Sequence, residues 1–166
     1  RVPWIIRWPG VTHPGTRSDT PLITHDLYPT LLHAAKATVV PEHHIDGIDL
    51  KPILQGTPTP TRSLGWHQPH QVNAQGPGIE PFTSLRHGRW KLIWFHDGDR
   101  IELYDLNNDL GEQHELSSRA PDITQAMLAR LDAWIQSTNA QMSISATTQM
   151  PHHIPDLSLD GHTPDM

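Results

Sequence analysis

The chain has 166 residues, enough for one domain that buries about two thirds of its unfolded surface. A formal net charge of -6 with thinly scattered Lys and Arg excludes a nucleic-acid footprint, and no apolar run approaches the roughly 18 residues that a membrane span needs. With no Cys there are no disulfides or thiolate metal sites, and 16 Pro and 11 Gly in a chain only 36% hydrophobic point to a loop-rich fold.

Residues 2–7 form a short apolar run that reads as a buried strand, ended by Pro9-Gly10. A core strand at the first residues, with Arg1 rather than Met in front, carries the expectation that the sequence is the C-terminal part of a longer chain. Thr24 is the expected N-cap of a helix through Leu27, Leu31, Leu32 and Ala35, with Pro29 kinking its first turns or delaying its start. Residues 41–56 read as a loop and one helical turn that buries Ile48, Leu50, Ile53 and Leu54, with Asp46 and Asp49 as turn and cap residues. The run TPTPT at 57–61 reads as an exposed linker.

The strongest folding signal lies in residues 83–106. Trp90, Leu92 and Trp94 alternate with Lys91, Ile93 and Phe95, the period of a strand. Asp97-Gly98 then suits a tight hairpin turn, and Ile101, Leu103 and Asp105 alternate with Glu102, Tyr104 and Leu106 on the return. His87-Gly88 marks a second turn, so residues 83–86 add a strand, and 63–67 add a further one. Two tryptophans on one face give the meander a large buried side, with Lys91 on the other face reaching solvent. Residues 70–81 are Gly- and Pro-rich and read as a long loop of the kind that carries function. Pro121 suits a first helical turn, and Ile123, Met127, Leu131, Trp134 and Ile135 share one face of a helix over 121–138 that packs on the tryptophan side of the sheet. The residues beyond 141 lack periodicity and read as an extended or disordered tail.

Thirteen histidines raise the question of a metal site. His43-His44 and His152-His153 are adjacent pairs, whose side chains diverge in an extended chain. His67 and His70 are three apart but separated by Pro69, and no H-E-x-x-H occurs, so solvated histidines are the favoured reading. Asp105, Asp109 and Glu112 read as backbone caps rather than an acid–base pair, and there is no G-x-S-x-G elbow. The segment Trp66-His67-Gln68-Pro69-His70 stands apart. It places an aromatic ring and two imidazoles, which donate or accept hydrogen bonds at neutral pH, where a strand runs into a long loop. Trp66, His67 and His70 are therefore the candidate ligand-facing residues, against the plainer reading of a buried Trp with wet histidines.

The segments RVPWIIRWPG, PLITHDLYPTLL, DGIDLKPIL, LRHGRWKLI and ELYDLNNDLGEQHEL, in that order, resemble the C-terminal part of the formylglycine-dependent sulfatases. The match runs over about residues 1–142, with NAQM at 139–142 similar to the family's closing segment. The resemblance implies an α+β arrangement. The C-terminal strand and helix of an alkaline phosphatase-like α/β domain (1–56) and a linker (57–62) would precede a small antiparallel sheet with one long helix (63–140) and a tail (141–166). It further implies hydrolysis of sulfate esters, on a sulfated carbohydrate or aryl sulfate. Formylglycine and calcium would come from a preceding catalytic portion, because no C/S-x-P/A-x-R segment is present here. On that basis no catalytic or metal residue carries over, no cofactor is expected on this portion, and Trp66, His67 and His70 are expected to face the substrate side of a cleft. The family includes periplasmic and secreted enzymes. Two rivals remain open on the residues: a non-catalytic module that binds sugar or protein along 66–78, and part of a phosphonate or phosphate monoester hydrolase of the same superfamily.

Overall fold

The computed structural model describes residues 2–38, 40, 42, 46–70 and 80–155, and the chain divides into two compact units, Arg1–Pro60 and Thr61–Met166. In the first unit, residues 2–7 have no regular secondary structure and belong to no strand ladder among the described residues. The expected buried strand therefore does not form here. A strand is stable only when its N–H and C=O groups find a neighbour, and without one Ile5 stands 99% exposed and Val2 79%. The chain then turns at Pro9-Gly10, where the Trp8 carbonyl accepts from both Val11 N (3.0 Å) and Thr12 N (2.9 Å).

Helix α1 spans Leu27–Ala34 and follows a short 3-10 turn, Thr24–Asp26. Pro29 falls in the first turn of α1, where a backbone N–H has no intrahelical partner to lose, so it delays the α-helix without bending it. The expected N-cap at Thr24 is not used. Asp26 precedes α1 without a side-chain cap bond to it; instead its Oδ2 accepts from Ile23 N at 2.9 Å, and its Oδ1 accepts from Ile48 N, 22 residues away, at 3.0 Å. Thr30 Oγ1 donates to the Asp26 carbonyl (2.6 Å) and accepts from Leu50 N (2.9 Å). These bonds dock the segment before helix α2, Lys51–Leu54, onto α1. A Cβ on Gly47 would sit 2.2 Å from the His25 carbonyl oxygen, so only glycine permits this approach. Of the four apolar residues expected inside, Leu50 is fully buried, and Ile48, Ile53 and Leu54 are partly so.

In the second unit, four strands among the described residues form one antiparallel sheet in sequence order: β1 (Ser63–Gln68), β2 (Phe82–His87), β3 (Trp90–Phe95) and β4 (Arg100–Asp105). His87 pairs with Trp90, so the first hairpin turns on Gly88-Arg89, one residue later than read from the sequence. The second hairpin keeps the register that a tight Asp97-Gly98 turn would give, with Phe95 opposite Arg100. It opens one pair early because His96 leaves the ladder: it adopts helical φ/ψ, and its N–H goes to the Pro81 carbonyl at 2.9 Å. Positive φ consequently falls on Gly98 and Asp99.

Helix α3, Pro121–Thr138, lies on the sheet face carrying Leu85, Leu92, Trp94 and Leu103 and adds Met127, Leu128 and Leu131 to the core. Burying seven such side chains at about 1.5–3 kcal/mol each is the dominant favourable term for this unit. Gly65 of β1 meets the indole of Trp134 so closely that a Cβ would lie 2.3 Å from the ring. Asn139 ends α3 in the left-handed conformation (φ 50°), and Ala140 N closes on the Ile135 carbonyl at 3.1 Å. The chain then returns to the sheet. Ile144 bridges Pro151, His152 N bonds to the Ser143 carbonyl (2.9 Å), and Met142 and Ile154 pack on the core. Lys91 does not reach free solvent as expected, because its ammonium is held by both Glu112 oxygens at 2.8 and 2.6 Å.

Candidate functional site

The pleat of β1 separates the candidate residues. Trp66 pairs with Ser84, and His67 pairs with Thr83, so the two side chains point to opposite faces. Trp66 is 43% exposed, on the face away from α3. His67 shares the α3 face with Gly65 and Thr83. His70 is exposed just beyond β1. The long loop expected at 70–81 lies largely outside the described residues, as do His43 and His44.

His67 sits at one end of a continuous hydrogen-bonded run. Its Nε2 lies 2.9 Å from the Gln141 carbonyl oxygen, and its Nδ1 lies 2.8 Å from Thr83 Oγ1. Thr83 Oγ1 is also 2.8 Å from His96 Nε2, and His96 Nδ1 is 2.6 Å from Ser143 Oγ. A carbonyl only accepts, and this fixes the direction of the whole run when both rings are neutral. His67 Nε2–H donates to Gln141, Thr83 O–H donates to His67 Nδ1, His96 Nε2–H donates to Thr83, and Ser143 O–H donates to His96 Nδ1. Thr83 and His96 are fully buried, and His96 lies against the Trp94 indole with ring centroids 4.6 Å apart. Burial, and then the neighbouring His67 and His152, hold the His96 imidazole down at about 4. The rings of His67 and His152 lie 5.7 and 6.0 Å from it.

Only His67 of this run was legible as a candidate, and both of its ring nitrogens have hydrogen-bond partners within the chain. His96 did carry a signal, since it continues the alternation Trp90, Leu92, Trp94 toward the helix face. Gln141 and Ser143 carried none, because nothing local ties residues 74 and 47 positions away to His67 and His96. The first unit has a smaller polar run at its surface: Asp49 Oδ2 holds His33 Nδ1 at 2.5 Å, and His33 Nε2 faces Lys51 Nζ at 3.1 Å. Asp49 also caps Lys51 N at 3.0 Å, the structural role read for it from sequence. Asp105 and Asp109 serve backbone and neighbours likewise: Asp105 pairs with Arg89 and accepts from Asn107 N, and Asp109 accepts from His114 N. None of these arrangements supplies an activated nucleophile. The structure offers positioned donors and acceptors together with an exposed indole.

The family model for the C-terminal region of N-sulphoglucosamine sulphohydrolase matches residues 1–140. The chain belongs to this sulfatase family. A sulfatase from Formosa agariphila is 30% identical over 160 residues, which cover 88% of this chain and 29% of that protein. An N-acetylglucosamine-6-O-sulfatase from Bacteroides thetaiotaomicron is 30% identical over 124 residues, covering 72% of this chain and 22% of that protein. Among solved structures, a 2-O GAG sulfatase superposes with a TM-score of 0.54 at 29% identity, covering 69% of this chain and 24% of its own. The chain thus spans less than a third of each of these sulfatases and corresponds to a sulfatase's C-terminal part, with the α+β sheet-and-helix fold that the resemblance implied.

Proposed function

We propose that the chain is the C-terminal portion of an enzyme that hydrolyses sulfate esters of a carbohydrate, and that it supplies scaffold and substrate contacts rather than the bond-breaking groups. The observation that carries this reading is the family match across residues 1–140, and the sugar sulfatases among the similar proteins support the substrate class. Trp66 and His70, exposed at and beyond the end of β1, are the substrate-facing residues in this reading. An indole stacks on sugar rings through its apolar face, and an exposed imidazole hydrogen-bonds to hydroxyl or sulfate oxygens. His67 acts one step back, by fixing the end of β1 from which both project.

The family's reaction draws on formylglycine and a divalent cation, calcium in particular, which polarises the sulfate oxygens. The described residues do not fit such a centre, because no group of three or more His, Asp or Glu side chains is placed to hold a metal ion, and the sequence has no C/S-x-P/A-x-R segment. Neither the nucleophile nor the cation is assigned to this portion. No helix among the described residues is long and apolar enough to cross a membrane. The test is to express these residues joined to the coding sequence that precedes them and to assay a sulfated monosaccharide and an aryl sulfate. Turnover by the joined protein and none by the 166 residues alone is the expected result. No turnover of either ester by the joined protein would refute the reading.

A further inference from the structure

Thr83 stands between two imidazoles with a single hydroxyl proton to give. With both rings neutral that proton points to His67. If His67 gains a proton, its Nδ1–H must donate to Thr83, so the hydroxyl turns and donates to His96 Nε2 instead. His96 then keeps its neutrality by carrying its own proton on Nδ1 and donating it to Ser143 Oγ, which can accept. The three bonds that join His67, Thr83, His96 and Ser143 survive reversed in direction, while His67 Nε2–H goes on donating to the Gln141 carbonyl. If both rings are charged, both donate to Thr83 Oγ1. The buried hydroxyl then loses its acceptor, and two cations face each other across 5.7 Å.

We propose that His67, Thr83 and His96 form a relay that takes up one proton by reversing, and that a second proton releases residues 141–155 from the sheet. The relay is one anchor of that segment, beside the packing of Met142 and Ile154 on the core: Gln141 and Ser143 bond its two ends. The groups facing His96 are His67 and Thr83 from the sheet, Ser143 and His152 from the returning segment, and Asp97 beside it in the β3–β4 turn. Asp97 Oδ1 lies 3.5 Å from His152 Nε2, which has no hydrogen-bond partner among the described residues, and no carboxylate among them forms an ion pair or hydrogen bond with His96. Burial gives His96 a low affinity for a proton and so keeps it neutral while the relay reverses. The site is thus a pH-sensitive latch built from the fold's own polar groups.

The test is a pH titration of the full 166-residue chain with ¹⁵N-labelled histidine rings. At pH about 7.5 both His67 and His96 should be Nε2–H tautomers. As His67 charges, His96 should change from Nε2–H to Nδ1–H while staying neutral. At still lower pH, amide exchange in residues 141–155, corrected for intrinsic rates, should rise by roughly tenfold over that of β2 and β3, the equivalent of about one pKa unit. Thr83→Val should abolish the tautomer change, and Thr83→Ser should retain it. The proposal falls if His96 keeps Nε2–H through the His67 titration, if Thr83→Val leaves the tautomer change intact, or if the segment and the strands exchange in step. Should Thr83→Val fail to fold, the wild-type chain and Thr83→Ser decide the matter alone.

Discussion

The two units are held together in different ways. Among the described residues of the first, the positions without exposure are Asp26 and Leu50, and its segments are joined largely by polar contacts: backbone N–H groups donate to the Asp26 carboxylate and the Thr30 hydroxyl, and His33 meets Asp49 at the surface. In the second, Leu85, Leu92, Trp94, Leu103 and Leu131 are sealed between a sheet and a helix. An apolar core is non-directional, so it resists changes of shape and loses stability in proportion to the atoms removed. A polar hub is directional, so one wrong atom type breaks it while the volume is unchanged. Truncation is therefore the way to break the second unit, and isosteric substitution the way to break the first.

The largest effect is expected from Trp94→Ala, which removes the biggest fully buried side chain of the second unit. A loss of about 3–5 kcal/mol is expected for a cavity of this kind. Urea unfolding followed by amide exchange in β2, β3 and α3 would measure it, and a loss below about 1 kcal/mol would mean the core had collapsed around the gap.

Acid comes next, and it sharpens the contrast because the second unit also has a polar group at its heart. In the unfolded chain the His96 ring titrates near 6.5, and in the fold at about 4. Between those values the unfolded state binds the extra proton. Stability is therefore complete above pH 6.5 and falls as the pH drops toward 4, by up to about 3 kcal/mol. Asp109 and Glu115 titrate below the usual carboxylate range, the first through backbone N–H bonds and the second through such bonds working against its burial. Their contribution is lost at lower pH still. The readout is thus the difference between the wild-type chain and His96→Asn at pH 7 and pH 4.5, and the variant should show the shallower dependence whatever its absolute stability.

How much of this was legible follows from how far each signal reaches along the chain. The 121–138 helix and the meander were read from periodicity, because a 3.6 or 2.0 repeat is local and both elements bury one face. Of the histidine relay only His67 was singled out, from its place between a strand and a loop, and its partners were not, since the bonds cross up to 74 positions. Asp26 escaped for the same reason: its partner Ile48 is 22 residues on, and a lone Asp beside a helix start reads as a cap whatever else it holds. Residues 2–7 misled in the opposite direction. Their apolar composition marks a strand, but composition cannot supply the neighbour a strand requires. Asp97-Gly98 gave the register and missed the turn, because His96 was drawn out of the ladder by Pro81 and by the ring of Trp94.

Asp26→Asn tests the polar hub directly. The amide keeps the size of the carboxylate but offers one oxygen where Ile23 N and Ile48 N need two. One N–H then faces an NH2 group, and a loss of about 1–3 kcal/mol is expected. The Ile23 and Ile48 amides should exchange faster while those of α3 stay protected. Protection lost equally in both units would show that they unfold together and that the contrast does not hold.

The smallest effect separates surface ion pairs from both kinds of interior. Lys91 and Glu112 are close at 2.6 Å but partly wet, with side chains 23% and 32% exposed. An ion pair in that setting gains little in high dielectric and loses side-chain freedom, so Lys91→Met should change stability by less than about 1 kcal/mol. Its partner can still turn to water, whereas the Asp26 carboxylate is fully buried. If Lys91→Met cost as much as Asp26→Asn, the pair would belong with the buried polar contacts, and the strand face opposite α3 would be better shielded than the exposure of its side chains indicates.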